Sequence, residues 1–510
     1  MRFGSALALT AVSGALYGLA FPPVGWWPLA WLALVPFLLA VAGGGKGRAA
    51  GLGVLLGVAA SYGVGTWMPA AVVSYYEQPV VVGIAIFLVC ALWQAAWQLA
   101  IFALVWRRLA AAPRAWTPLA VGAAWVTAEL LRSHIPLGNP WALLGYSQTA
   151  APLLVQSADV AGVHGIGFVL VALNAALALV WRAHGADMAM ARRGLAIAAA
   201  LVVAVVAYGA FRLTSEQGPA AAAAHPVVAV QGNLDLGTQW KSEFYGANLG
   251  AYADLTTKAV AAHPAPLVVW PESALTFFLE DDASYRAYLA RVLTAAHTTL
   301  LTGGPRVAHD GASESYRNAA FVIGPTGAID AVYEKGTLVP FAEYFPLAGD
   351  GLLRRQFGKV REFVPGSVTA QAPVATPAGA AGVMICNEAM LADPARARVR
   401  AGATWLVTLT NDSWVGRRHY AEIALAMVRL RAVETRRWLV RASTSGPSAI
   451  IDPAGRIVDR LPFAEAGVVR GAIAARRDLT IYARIGDVFA WACALLTALM
   501  VARVVVDRFR

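Results

Sequence analysis

The chain has 510 residues, of which 58% are hydrophobic and only 14% are charged, and its formal net charge is +11. This composition excludes an ordinary soluble globular protein, and the long Ala- and Leu-rich blocks predict membrane helices. The basic residues are scattered or lie at the ends of these blocks, which favours a role in membrane topology over nucleic-acid binding. Three cysteines, two of them inside apolar segments, predict no disulfide framework.

The first 212 residues alternate long apolar runs with short connectors. We predict a seven-span transmembrane domain over residues 1–212 and a last transmembrane helix within residues 485–510. The expected spans lie near 3–20, 28–42, 50–68, 80–105, 116–132, 159–181, 194–212 and 486–502. The first apolar segment also resembles a signal peptide, but its single basic residue, Arg2, favours a retained helix.

Basic residues occupy every second connector, whereas the connectors at 21–27 and 69–79 contain no Lys or Arg. Because cytoplasmic loops carry the excess of Lys and Arg, this alternation predicts that both termini are cytoplasmic. Residues 213–484 are then expected outside the cytoplasm.

From residue 226 onwards, short β-type runs alternate with helical patterns, which predicts a layered α/β domain over residues 213–484. Residues 216–224, which precede the first of these β-type runs, are interpreted as a linker. Strands are expected at 227–230, 267–270, 300–302, 320–323, 383–386, 405–410 and 439–443, and helices near 245–262, 283–297 and 419–437.

Glu272, Lys335 and Cys386 each follow a β-type run of this domain. Strand ends are where α/β folds place their chemistry. A lone cysteine on an apolar strand would by itself be an ordinary core residue. Together with a carboxylate that can take its proton and an ammonium group that can stabilise negative charge, it predicts nucleophilic catalysis by the thiol.

The sequences around these residues resemble a known family. WPES at 270–273, YEKGTLVPFAEYFP at 333–346 and ICNE at 385–388 resemble the Glu-Lys-Cys triad motifs of the nitrilase superfamily. The second motif is similar in particular to the apolipoprotein N-acyltransferases, the integral-membrane branch. Further matches lie at 231–233, 411–414 and 429–434. The resemblance covers essentially the whole chain and implies a multi-span α-helical membrane domain joined to an α/β nitrilase-like αββα sandwich.

The resemblance implies that Glu272 is the base, Lys335 the charge stabiliser and Cys386 the nucleophile. It also implies that Glu343 is a fourth member of the site, which orients Lys335 or shares its proton traffic. Burial in the pocket is expected to raise the carboxyl pKa of Glu272 towards neutrality, so that it can accept the thiol proton.

Supporting roles are expected for two residues after the cysteine. Many family members have an aromatic residue where this chain has Asn387, and we expect the backbone N–H of Asn387, rather than its side chain, to serve the oxyanion. Glu388 is expected to support the loop, with a surface carboxylate as the alternative. The substrate-binding candidates are Trp240, which could instead pack, and the pocket-wall positions Asn318, Asn411 and Trp414. The arginines of 429–437 have helical spacing and are expected to form a solvated, ion-paired face.

The resemblance implies transfer of an acyl chain from a membrane phospholipid to the α-amino group of the S-diacylglyceryl-cysteine of apolipoproteins, the last step of lipoprotein maturation. The reaction would be ping-pong, through a thioester on Cys386. It further implies a monomer in the bacterial inner membrane with its catalytic domain in the periplasm. No metal or nucleotide motif is present, so no cofactor is expected.

Two alternatives are a membrane-tethered nitrilase-type amidase, in which water completes the cycle, and a transporter with a degenerate extracellular domain. The many spans and the LVPFxExxP form argue against the amidase, because a tether needs only one helix. The spans contain almost no charge beyond Glu129, which argues against a translocation path.

Overall fold

The computed structural model describes residues 1–185, 187–216, 224–234, 241–310, 313–346, 351, 355, 362–366 and 372–509. The chain forms two compact units. The helical unit comprises Met1–Ala70, Pro79–Ser215 and Arg484–Arg510, and the sandwich unit comprises Ala71–Gln78 and Glu216–Ala483.

Most helices of the chain belong to its first 215 residues. In chain order these are α1 Phe3–Leu19, α2 Val35–Ala42, α3 Lys46–Gly65, α4 Trp67–Ser74, α5 Val80–Ala91, α6 Trp97–Leu109, α7 Thr117–His134, α8 Pro152–Val155, α9 Ala158–Arg182 and α10 Asp187–Ser215. The later helices are α11 Ser242–Ala262, α12 Ala283–Ala296, α13 Ala392–Arg400, α14 Arg418–Thr435, α15 Ile481–Ile485 and α16 Val488–Phe509. A π-helical turn, Leu92–Ala96, joins α5 to α6.

Within the described residues, four helices are long and apolar enough to cross a membrane. They are Lys46–Gly65, Val80–Leu109, Ala158–Arg182 and Asp187–Ser215, and shorter apolar helices lie at Phe3–Leu19, Trp27–Ala42 and Val488–Arg503. Large apolar side chains such as Val81, Val89 and Leu495 are exposed on their surfaces. Exposed apolar side chains on long helices are typical of a membrane domain, whereas the expected number of eight spans remains a prediction.

Glu129, the charge noted within the apolar spans, binds a buried loop of the helical unit. Its Oε1 accepts a hydrogen bond of 2.8 Å from the backbone N–H of Leu144, and its Oε2 lies 3.7 Å from Nδ1 of His164. Tyr17 donates to the carbonyl of Ala142 in the same loop, and Arg132 donates to that of Trp141. Because unpaired backbone groups are costly inside a membrane domain, these polar side chains have a structural task there.

The sandwich unit contains two six-stranded sheets. Its strands are β1 His225–Gln231, β2 Leu267–Val269, β3 Thr299–Asp310, β4 Ser313–Ile323, β5 Ile329–Glu334, β6 Val374–Thr376, β7 Gly379–Ile385, β8 Trp405–Thr410, β9 Leu439–Ser443, β10 Ser448–Ile451, β11 Ile457–Leu461 and β12 Gly467–Ile473. The strand orders are β12-β1-β2-β3-β4-β5 and β11-β10-β9-β8-β7-β6. In each sheet the central strands are parallel, β1-β2-β3 in one and β7-β8-β9 in the other.

The alternation of side chains along the strands produces four layers. Val227 and Val383 belong to an apolar cluster that both sheets share. Val228, one position along β1, packs with α11 and α12 on the outside of the first sheet. Met384, one position along β7, packs with α13 and α14 on the outside of the second sheet. The unit is therefore the expected αββα sandwich. Each expected strand and helix overlaps an observed one, although β3 ends eight residues after its expected end and β4 begins seven residues before its expected start.

The expected solvated face at 429–437 is wrong. Arg431, Arg436 and Arg437 are 0–1% exposed. Arg431 pairs with Glu434 at 2.9 Å, while Arg436 lies 3.9 Å from Glu216 at the start of the unit. Buried charges need such partners, and partners distant in sequence cannot be inferred from helical spacing. Residues 217–223 of the expected linker lie outside the described residues.

Candidate active site

Cys386 stands at a sharp change of backbone direction. The strand β7 ends at Ile385, and a short 3₁₀ turn, Cys386–Met390, begins at the cysteine itself. Cys386 has a φ of 53°, in the left-handed region that residues other than glycine rarely adopt, and it is 4% exposed. Such strained residues cluster at functional sites because the surrounding structure must hold them in place.

Glu272 lies beyond the end of β2, held by contacts from three elements. Its Oε1 accepts a hydrogen bond of 2.7 Å from Nδ2 of Asn318, and its Oε2 accepts one of 2.7 Å from the backbone N–H of Asn411. Gly303 of β3 packs directly against it, since a Cβ there would stand 2.7 Å from Cα of Glu272. The carboxylate is 5% exposed and its orientation is fixed.

Lys335 follows β5 and is enclosed by two carboxylates. Its Nζ lies 2.9 Å from Oε1 and 2.8 Å from Oε2 of Glu343, and 3.6 Å from Oε1 of Glu272. Glu343 is itself held by the backbone N–H of Val339 at 2.8 Å. The side chain of Lys335 is 1% exposed, so its charge depends on these partners.

Asn318, expected in the pocket wall, connects the two carboxylates. Its Nδ2 donates to Glu272 at 2.7 Å and to Glu343 at 2.8 Å. One amide group therefore fixes the separation of both acids around the ammonium group. Asn318 therefore lines the cavity, as expected, and also bridges the two carboxylates.

Burial and charge together set the protonation of the site. Burial raises the pKa of Glu272, which Lys335 opposes and Glu343 reinforces. Burial alone would lower the pKa of Lys335, but Glu343 and Glu272 raise it above its usual value. Burial, reinforced by Glu272, raises the pKa of the Cys386 thiol, and Lys335 only partly opposes this. Two carboxylates and one ammonium group leave a net negative charge, which favours a protonated thiol at rest.

Glu388 joins the cysteine turn to the segment that follows Lys335. Its carboxylate accepts hydrogen bonds from the backbone N–H groups of Ile385, Gly336 and Thr337 at 2.8, 2.8 and 3.1 Å, and from the hydroxyl of Tyr333. It is 0% exposed, so the surface alternative for Glu388 is wrong. Burial raises the pKa of this carboxyl, and the backbone N–H groups oppose that shift.

Arg398 of α13 contacts Tyr333, the residue whose hydroxyl binds Glu388. Its guanidinium donates to the hydroxyl of Tyr333 at 2.7 Å and lies over the ring of Tyr333, 4.7 Å from the centroid. Neither residue was predicted from the sequence to belong to the site. Tyr333 immediately precedes the Glu334–Lys335 pair, but Arg398 had no signal in the sequence, since only the fold brings it to β5.

A second buried network supports the wall formed by the residues after β8. Asn411, besides binding Glu272, accepts hydrogen bonds at Oδ1 from Ser413 and Thr444. Asp412 pairs with Arg441 at 2.6 Å, and both side chains are fully buried. These pairs make the wall rigid, and thus fix the backbone N–H that Glu272 requires.

Seven of the expected residues line one small cavity, of about 50 Å³, whereas Asn387 and Glu388 are not part of its lining. It is bounded by Glu272, Lys335, Glu343 and Cys386, by Asn318, Asn411 and Trp414, and also by Tyr75, Ser273, Val339 and Ala342. Asn387 is partly buried, and its Oδ1 has no hydrogen-bond partner among the described residues. Trp240 lies outside the described residues.

Comparisons with known proteins agree with this architecture. Residues 13–176 match the family model of the apolipoprotein N-acyltransferase N-terminal domain, and residues 227–482 match that of the carbon-nitrogen hydrolases. The chain is 33% identical to the apolipoprotein N-acyltransferase of Geobacter metallireducens, covering 97% of this chain and 94% of the relative. It is 35% identical to that of Azotobacter vinelandii, covering 94% and 91%, and 31% identical to that of Bradyrhizobium diazoefficiens, covering 99% and 96%.

A relationship of this extent, over both units and including the residues around the buried thiol, establishes that the chain belongs to the apolipoprotein N-acyltransferase family.

Proposed function

We propose that this protein transfers a fatty acyl chain from a membrane phospholipid to the α-amino group of the N-terminal S-diacylglyceryl-cysteine of apolipoproteins, with Cys386 as the nucleophile. The observation that carries the proposal is the convergence of Cys386, Glu272 and Lys335 on one buried cavity. A thiol, a carboxylate and an ammonium group in one enclosed site are the parts that acyl transfer through a covalent intermediate requires.

Glu272 serves as the general base. Burial makes the Glu272 carboxylate a stronger base by raising its pKa towards neutral pH, which makes proton transfer from the thiol less unfavourable. Because the pKa of Cys386 is raised as well, the thiolate forms only as the proton moves to Glu272 during attack. Lys335 stays charged and stabilises the negative charge that develops on the acyl oxygen.

The cycle consists of two half-reactions. In the first, the sulfur of Cys386 attacks the ester carbonyl, a C–S bond replaces the C–O bond, and the leaving lysophospholipid alkoxide receives the proton from Glu272. In the second, the α-amino group attacks the thioester, a C–N bond replaces the C–S bond, and Glu272 passes a proton from the amine to the sulfur. Glu343 holds Lys335 in place through both steps.

The proposed setting is the bacterial inner membrane, with a monomer whose two termini are cytoplasmic. The proposed domain boundaries are residues 1–212, 213–484 and 485–510, and the proposed location of the catalytic part, residues 213–484, is the periplasm. The alternation of basic and non-basic connectors supports this orientation, since connectors 21–27 and 69–79 carry no Lys or Arg. The four long apolar helices support insertion in the membrane.

The test is the mass of the purified protein after incubation with phospholipid alone. We expect a gain of one acyl group on Cys386, removable by hydroxylamine and transferred when a diacylglyceryl peptide is added. Cys386→Ala should show neither event. Cys90→Ala, a cysteine substitution in the helical unit, is the matched control and should show both. N-acylation of the peptide by Cys386→Ala would refute the proposal.

A further inference from the structure

Residues 71–78, the last turn of α4 and the connector that follows it, form part of the sandwich unit although they precede the rest of it by more than a hundred residues. The segment is locally folded. The N–H of Tyr75 donates to the carbonyl of Ala71 at 2.8 Å, and that of Gln78 donates to the carbonyl of Val72 at 3.2 Å. The rings of Tyr75 and Tyr76 meet edge to face at 5.0 Å. Its two aromatic side chains are therefore presented by an ordered turn.

Tyr75 lines the same cavity as Glu272, Lys335 and Cys386. Its ring stands 5.8 Å from that of Trp414 at 67°, and Trp414 stands 6.4 Å from Tyr420 at 62°. Tyr75 is only half-buried, whereas Tyr420 is 5% exposed. Tyr75 and Trp414 therefore form an aromatic wall of the cavity, and Tyr420 packs against Trp414.

Tyr76 fastens this segment to the loop that carries Glu343. Its hydroxyl donates a hydrogen bond of 2.8 Å to the carbonyl of Phe341, which has a φ of 63°. The N–H of Phe341 in turn donates to the carbonyl of Tyr344 at 2.8 Å. The position of Tyr75 over the cavity is therefore coupled to the loop that orients the acid–base groups.

Tyr75 comes from a part of the chain that a carbon-nitrogen hydrolase domain alone does not contain. The residues that match the carbon-nitrogen hydrolase family are 227–482, whereas Tyr75 lies in the 13–176 match to the acyltransferase N-terminal domain. The thioester on Cys386 can be attacked by water or by an amine, with Glu272 as the base in both reactions. Which of the two reacts depends on which of them reaches the thioester. Apolar walls that exclude water suppress hydrolysis of reactive intermediates.

We propose that Tyr75 is a specificity-determining residue that covers the Cys386 thioester and favours its resolution by an amine over its resolution by water. The inference rests on the proposed function. In the suppressed reaction, water forms a C–O bond to the acyl carbon as the C–S bond breaks, and its proton returns through Glu272 to the sulfur. In the favoured reaction, the C–N bond forms in its place. Tyr75 touches the acyl group but exchanges no proton with it.

The experiment uses the full-length protein in detergent, acylated with phospholipid and then given a diacylglyceryl peptide. The measured quantity is the ratio of free fatty acid to N-acylated peptide. Tyr75→Ala should raise this ratio on the order of tenfold, because one side of the thioester becomes open to water. Tyr75→Phe restores the ring without the hydroxyl and should return the ratio towards that of the wild type.

The matched control is Tyr62→Ala, which removes an exposed tyrosine of the helical unit and should leave the ratio unchanged. Where Tyr75→Ala fails to fold, Tyr75→Ser makes the comparison, since it also removes the ring and leaves that side of the thioester open to water. A wild-type ratio in a folded Tyr75→Ala or Tyr75→Ser overturns the inference. Such variants still acylate Cys386, so this outcome differs from failure of the proposed function, in which Cys386→Ala remains active.

Discussion

Glu388→Gln is a sharp test of how the site is held, because it changes one atom of a fully buried side chain. The carboxylate receives three backbone N–H groups, that of Ile385 at Oε2 and those of Gly336 and Thr337 at Oε1. A glutamine must present its NH₂ group to one of these two sets. The orientation that disrupts fewer bonds leaves the N–H of Ile385 facing another donor.

The size of the effect follows from this geometry. A buried N–H left without an acceptor costs about 1–3 kcal/mol, and hydrogen bonds to a neutral amide are weaker than those to a charged group. An opposing, stabilising effect is that a neutral side chain avoids the desolvation cost of a buried charge, the same cost that raises the pKa of Glu388. We expect the free energy of unfolding to fall by about 2–4 kcal/mol, and Tm by roughly 4–10 °C for a domain of this size.

Thermal unfolding in detergent, followed by tryptophan fluorescence, measures this change. The matched control is Glu465→Gln, at an exposed carboxylate, which should stay within about 0.5 kcal/mol of the wild type. Acylation of Cys386 should fall with Glu388→Gln, since Ile385 immediately precedes the nucleophile. Equal Tm values for the two variants, with full acylation, would show that the bonds around Glu388 do not hold the cysteine turn.

Three further predictions follow from the site and the sequence. The acylation rate should fall at acidic pH, because protonated Glu272 cannot accept the thiol proton. Burial raises the pKa of Glu272, so we expect the midpoint of this fall above the ordinary carboxyl pKa of 4.5. A pH–rate profile measures the midpoint, and a value at or below 4.5 contradicts the prediction. Asn387→Ala should retain most activity in the acylation assay, whereas Glu272→Gln should lose nearly all, and equal losses would assign a role to the Asn387 side chain. Reporter fusions at Gly45 and Arg114 should be cytoplasmic and one at Gly311 periplasmic, and a cytoplasmic signal at Gly311 would refute the topology.

The β-type runs could predict a layered α/β domain and select Glu272, Lys335 and Cys386 at their ends, because both are local patterns. The αββα sandwich was predicted from the family resemblance and not from the periodicity. The double contact of Asn318 with both carboxylates could not be predicted, since it depends on the strand order, in which β4 is adjacent to β5 and separated from β2 by β3. The contribution of Tyr75 to the cavity was equally hidden, because its connector showed only an absence of basic residues.

The wrong prediction for the arginines of 429–437 has a physical cause. Charged residues at helical spacing usually face water. Their spacing in the sequence is the same whether they are solvated or buried and paired with acidic side chains of the protein. Here Arg436 lies near Glu216 and Arg437 near Asp478, at 3.9 and 3.8 Å. These acids come from the two ends of the unit, so only the folded chain shows that the helix is enclosed.

The burial of Cys386 bears on how the enzyme survives oxidation. Peroxides and disulfides react with the thiolate, and a thiol whose pKa is raised by burial is protonated at neutral pH. With the catalytic part in the periplasm, as proposed, the nucleophile works in a compartment where disulfides persist. The other two cysteines, Cys90 and Cys493, belong to the helical unit and give it no resolving partner within its own unit. We expect peroxides to react slowly with this buried, protonated thiol, because the proposed mechanism forms the thiolate only as the proton moves to Glu272 during attack on an acyl group.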